Sequence, residues 1–286
     1  VTQGPGVAES LGGMAVEFAV SRSVRDAAAM LDAVSQPGVG DPFTIVQPER
    51  PYLQEVGAPA GRLRIAFTTA PWGPFPTDPE VAEATRQVAV QCEAMGHAVE
   101  EASPCYDYDQ FLKAIGVFWG FGYDVAIDGL AAATGRTVDE DTLEAVTLSF
   151  YHYARTLTPA DWAWAEDVLN QVRRATGQFF QDYDLLLTPT LIQLPEPIGK
   201  YSQNATDVDF LGFFRRCDET GVFLPLFNVT GQPAISLPLA QSESGLPMGM
   251  QFVARFGDEA TLIRLASAFE EAMPWRERAP PVPVSQ

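Results

Sequence analysis

Basic residues are scarce in this sequence of 286 residues: 18 lysines and arginines stand against 37 acids, a formal net charge of −19. That balance speaks against a nucleic-acid partner, because no basic face offsets the repulsion of phosphates. It speaks equally against an anionic membrane surface. No apolar run reaches the length of about 18 residues that a spanning helix needs. The opening VTQGPGVAESLGG has no basic stretch followed by an apolar one, so no secretory leader is expected. Cysteine is rare too. Cys92, Cys105 and Cys217 are far apart, odd in number and without CxxC spacing, which fits reduced, mostly packed thiols in a cytoplasmic protein.

The common catalytic signatures are also missing. There is no GxSxG elbow, no GxGxxG and no phosphate-binding Walker loop. The two histidines, His97 and His152, have no cysteine or histidine at metal-ligand spacing, so packing or surface roles are expected for both. The only lysines are Lys113, in a predicted helix, and Lys200, in a predicted loop. A serine activated by lysine needs that amine desolvated and within hydrogen-bond reach, and neither lysine has neighbours that suggest it. Glu100-Glu101 and Asp139-Glu140-Asp141 read as solvated acids, the first at a strand end and the second at a helix start. Ser236, in FNVTGQPAISLPL, sits in an alternating strand. A strand serine is expected to spend its backbone amide on the sheet, not on an oxyanion hole, so it reads as structural.

What is present is a full core and a clear α/β alternation. Hydrophobic residues make up 47% of the chain, enough to fill one large domain. Ser23 and Asp26 frame a helix start, with Val24, Ala27, Ala28, Leu31 and Val34 on one face. Residues 36–61, rich in proline and glycine, read as a surface connection. Leu63 to Phe67 reads as a strand, Asp78-Pro79-Glu80 as the start of a helix ending at Gly96, and 97–102 as a second, parallel strand. Residues 109–182 read as at least three helices broken near Gly135 and Thr158-Pro159. A strand over 184–188 follows, then a helix from about 208, a strand over 227–239, a turn at Gly245-Leu246-Pro247, a strand to Ala254, and a helix over 258–272. Residues 279–286 read as a tail. The fold class is α/β, a mixed central sheet flanked by helices on both faces.

Four segments carry a resemblance: Ser21-Arg22-Ser23-Val24-Arg25-Asp26; Asp184-Leu185-Leu186-Leu187-Thr188-Pro189-Thr190; Phe227 to Pro238; and Gly245 to Gln251. Met273-Pro274-Trp275 extends it. Together they resemble the amidase signature family over nearly the whole chain, nearest to the bacterial branch that includes 6-aminohexanoate cyclic-dimer hydrolase. The resemblance implies amide hydrolysis by a Ser–cis-Ser–Lys triad without a cofactor. It places that triad in a segment N-terminal to Val1, so no catalytic residue is expected in this chain. Residues 1–286 then form the C-terminal part of one amidase domain. The implied partners are that N-terminal catalytic part, as a chain or segment, and a small amide; a homodimer is compatible. Substrate-binding candidates are Trp119, Thr190, Ile192, Thr230 and Gln232. The alternatives are a glutamyl-tRNA amidotransferase A-type subunit and a catalytically inactive binding or scaffold remnant.

Overall fold

The computed structural model describes residues 10–41, 43, 45 and 47–278. The expected tail lies outside them. The helices start where the sequence supplies caps. In α1 (Val24–Val34), extended Ser23 accepts a hydrogen bond from the Asp26 amide. β1 (Arg64–Phe67) leads to α2 (Pro79–Ala94), where Pro79 opens the helix and Asp78 accepts from the Glu80 amide. β2 (Ala98–Glu101) follows. The predicted helical stretch resolves into α3 (Tyr108–Gly120), α4 (Tyr123–Thr134), α5 (Ala145–Ala154) and α6 (Pro159–Asp182). Thr158 and Asp161 close a full reciprocal capping box on α6. An added break falls at Phe121-Gly122. There Gly120 meets the Tyr153 and Leu157 side chains so closely that a Cβ would lie 2.7 Å from the leucine.

β3 (Leu185–Pro189), α7 (Phe210–Gly221), α8 (Pro225–Thr230), β4 (Ala234–Gln241), β5 (Pro247–Ala254) and α9 (Glu259–Ala272) complete the order. The sheet runs β2-β1-β3-β5-β4. β2, β1 and β3 are parallel, and β5 is antiparallel to both β3 and β4. Alternation along the strands divides the core. Leu185, Leu187, Phe252 and Leu237 face one side, packed with residues of α1, α2 and α9. Ala66, Leu186 and Val253 face the other, against α3, α6 and α8. Each fully buried large side chain contributes about 1.5–3 kcal/mol, and the two clusters fix the sheet between its helix layers.

Several expectations are corrected. Residues 227–230 are helical, not strand, because Pro225 opens α8 and Gly231, at φ 77°, closes it in the left-handed region. Val34 is exposed. Cys105 and Cys217 are exposed, and only Cys92 is buried, where burial pushes its thiol up to about 12. The Asp139 cluster forms a turn with Thr137 and Thr142 ahead of α5, not a helix cap. Within 36–61, Tyr52 and Glu55 are buried. The Glu55 carboxylate takes Arg50 at 2.6 Å and Arg264 of α9 at 2.5 Å, and the Asp32 carboxylate of α1 accepts the Tyr52 and Leu53 amides.

Candidate active-site wall

β4 is an edge of the sheet among the described residues. The backbone bond from Ala254 N–H to the Pro233 carbonyl sets its phase. Antiparallel neighbours alternate, so Pro233, Ile235 and Leu237 turn their backbone toward β5 while Ala234 and Ser236 turn theirs outward. This corrects the expectation for Ser236: its amide is not spent on the sheet, because the strand has a neighbour on one side only.

The Ser236 side chain is exposed and its hydroxyl lies 2.6 Å from the Thr190 hydroxyl at the end of β3. The pair spans β5 at Gly249. A Cβ there would sit 2.7 Å from Ser236 Oγ and 2.9 Å from Thr190 Oγ1, so the contact requires glycine. In the neighbouring row buried Gln251 donates through Nε2 to Thr188 Oγ1 at 3.1 Å and to the Phe223 carbonyl at 3.2 Å. Gln232, between α8 and β4, is buried, and its Oε1 has no hydrogen-bond partner among the described residues. Of these polar groups, Ser236, Gln251 and Gln232 border a trough of about 1110 Å³ that straddles the β4 edge. Leu224, Phe227 and Gln232 wall it on one side, and Val24, Leu31 and Leu262 on the other.

The expected site residues thus divide. Thr190 meets Ser236, and Gln232 shares the trough lining with Ser236 but makes no bond to it. Ile192 is buried with Tyr108, Val222 and Phe223, behind the end of β3. Thr230 spends its hydroxyl on the Leu226 carbonyl inside α8. Trp119 is exposed, its ring 5.8 Å from that of Phe214, and does not line the trough. Gly249 and Gln251 escaped the sequence reading. The signal was present, since a glycine inside a strand marks a close approach and two-residue spacing puts both on one face.

Among the described residues no base stands beside the hydroxyl pair. Lys113 Nζ lies over the Trp164 ring, and Lys200 pairs with Glu196. His97 is buried, accepts the Leu63 amide at Nδ1, and is pushed down in pKa by that burial. His152 is exposed on α5. The pair can donate to and accept from a neutral amide, but nothing there activates a nucleophile. A second polar assembly sits past the ends of β1 and β2. The Tyr108 hydroxyl donates to Asp218, whose carboxyl is raised by burial, and the Tyr106 hydroxyl is buried without a partner among the described residues. Among the described residues no helix is long and apolar enough to cross a membrane, and no cluster of histidine, cysteine and acid could hold a metal.

Comparison with known proteins identifies the family. A family model described as Amidase matches residues 9–263. The chain is 34% identical over 288 residues to 6-aminohexanoate-cyclic-dimer hydrolase of Paenarthrobacter ureafaciens, covering 98% of this chain and 58% of that protein. The enzyme of the same name from Pseudomonas sp. strain NK87 is 34% identical over 292 residues, with the same two coverages. A solved structure of 6-aminohexanoate cyclic dimer hydrolase superposes with a TM-score of 0.79 at 33% identity, covering 91% of this chain and 55% of the other. The chain therefore spans little more than half the length of these relatives.

Proposed function

The chain belongs to the amidase family, and from that premise we propose that it forms the substrate-pocket part of an enzyme hydrolysing C–N bonds of small neutral amides, linear or cyclic. The nucleophilic serine, the bridging cis-serine and the lysine are carried by an N-terminal catalytic portion. The observation that carries this reading is the Thr190–Ser236 hydroxyl pair. Its Ser236 member lines an apolar trough, and among the described residues no amine or imidazole is bonded to the pair.

The division of labour follows from the chemistry. The catalytic portion attacks the amide carbon, and its lysine moves the proton through the bridging serine to the leaving nitrogen. This chain binds and orients. Thr190 and Gln232 offer hydrogen bonds to the amide, and the walls at Leu224 and Phe227 hold aliphatic carbon and exclude water. Ile192 supports Thr190 from behind, and Trp119 and Thr230 are left outside the assignment. The three unpaired cysteines favour a cytoplasmic setting.

The test joins this chain to the portion of the Paenarthrobacter ureafaciens hydrolase outside the aligned region and assays 6-aminohexanoate cyclic dimer. The 286-residue chain alone is expected to show no turnover, and the joined protein to hydrolyse the amide. Ser236→Ala should keep the rate within about tenfold, the scale of one peripheral hydrogen bond. Turnover by the chain alone, abolished by Ser236→Ala, would overturn the reading.

A further inference from the structure

One polar node of the molecule has no part in the proposed chemistry. Asp218, in the last turn of α7, is 7% exposed. Its carboxylate accepts the Tyr108 hydroxyl of α3. Tyr106, just ahead of α3, buries a hydroxyl with no partner among the described residues. Few charges act on the Asp218 carboxyl. Arg215 and Glu219, both on α7, oppose each other there, and Cys217 of the same helix feels its charge. Tyr106 and Tyr108 are the titratable groups facing it from outside that helix. Arg215 lies over the Phe75 ring, 5.8 Å from its centre, and forms no ion pair with Asp218 among the described residues. A buried carboxyl held by one neutral donor is costly to ionise.

The node packs against the corner where α7 ends and α8 begins. Phe223 is buried in one cluster with Tyr108, and its ring meets that of Trp72 at 5.0 Å. Trp72 also meets the rings of Tyr106 at 5.8 Å and Phe227 at 6.1 Å, with its Nε1 donating to the Pro104 carbonyl at 3.0 Å. Beside it there is no slack: a Cβ on Gly73 would lie 2.8 Å from the Tyr108 ring. The corner itself is closed by two backbone bonds. The Leu224 amide donates to the Gly221 carbonyl at 2.8 Å, and the Phe227 amide to the Leu224 carbonyl at 3.1 Å. Leu224 and Phe227 are wall residues of the trough.

We infer that Asp218 is a positioning residue for the amide site: its bond to Tyr108 pins the end of α7 to α3 and so holds the α7–α8 corner, with Leu224 and Phe227, in place. This rests on the proposed function and deepens it. The brace works with an uncharged acid. Protonated, Asp218 forms a neutral pair with Tyr108 in apolar surroundings; ionised, it draws water toward the corner and loosens it. Burial, the largest influence, raises the carboxyl above its ordinary 3.8, against the Tyr108 bond and Arg215. The folded state therefore favours the protonated form. Its contribution is complete below 3.8 and is lost as pH rises through the raised value.

Asp218→Asn stays neutral and still accepts the Tyr108 hydrogen, so it is the comparison. Hydrogen exchange of the Leu224 and Phe227 amides is measured in the 286-residue chain, as the ratio of wild-type to variant rate at each pH. The ratio should be near one at the ordinary carboxyl value of 3.8 and climb about tenfold as pH rises, the scale of one lost hydrogen bond. A ratio of one at every pH overturns the inference. In the joined protein of the preceding test, the wild-type KM should rise about tenfold relative to the variant over the same range, with kcat within about twofold. An acid that only stabilised the fold would leave KM alone, so equal KM values at every pH also overturn it. A joined protein without turnover sinks the proposed function, and the corner exchange then decides the inference by itself. Tyr108→Phe covers the case in which the asparagine variant does not fold. Loss of its hydroxyl should speed exchange at the corner about tenfold, and unchanged exchange overturns the inference.

Discussion

At the scale of single residues, Gly249 governs the candidate site more than the hydroxyls it brings together. Ser236 and Thr190 come from different strands and meet only because nothing projects from β5 between them. Gly249→Ala is therefore expected to separate the two hydroxyls and to cost about 1–3 kcal/mol from the overpacked contact. Ser236→Ala, at an exposed position, should cost about 1 kcal/mol or less. Urea denaturation of both variants checks the contrast, and equal costs would show that the contact is slack. Thr190 and Gln232 were legible from turn chemistry and from a strand end. Gly249 was legible only as an odd glycine, because its role depends on two residues from other strands, far from it along the chain.

At the scale of elements, the short helical turn over Tyr52–Glu55 is tied down by charge. Hydrogen bonds from Arg50 and then Arg264 hold the Glu55 carboxyl at about 2, well below the ordinary carboxylate value. The folded state thus favours the ionised form. Its contribution is complete above the unfolded value near 4.5 and is lost as pH falls from there toward about 2. Glu55→Gln is expected to cost about 2 kcal/mol at pH 7, between the values for exposed and fully buried pairs, since both arginines reach solvent. Stability curves of wild type and variant should converge toward pH 2, and a gap that widens in acid would refute the pairing. The helix starts were plain in the sequence because a cap is local: Ser23, Asp78 and Thr158 each bond an amide two or three residues on. The turn at 52–55 was hidden because its partners, Asp32 and Arg264, lie in α1 and α9.

At the scale of the whole molecule, the uncharged edge and the open trough set solution behaviour against the net charge of −19. Repulsion favours monodispersity, but it does not cover an apolar face. The 286-residue chain alone is expected to bind the dye ANS and to scatter more light as concentration rises, and the joined protein to do neither. A dye-silent chain that stays monomeric at high concentration would contradict this. The sequence by itself determined the alternation of strands and helices, most of their caps, and the amidase resemblance. All of these are written in short-range pattern or in composition, so they need no knowledge of neighbours in space. The tertiary structure alone decided which strand lies at the edge, which way Ser236 turns its amide, and that Thr190 and Ser236 meet over Gly249. Strand order is set by how two cores close over the sheet, and that closure joins residues whose separation along the chain carries no local signal.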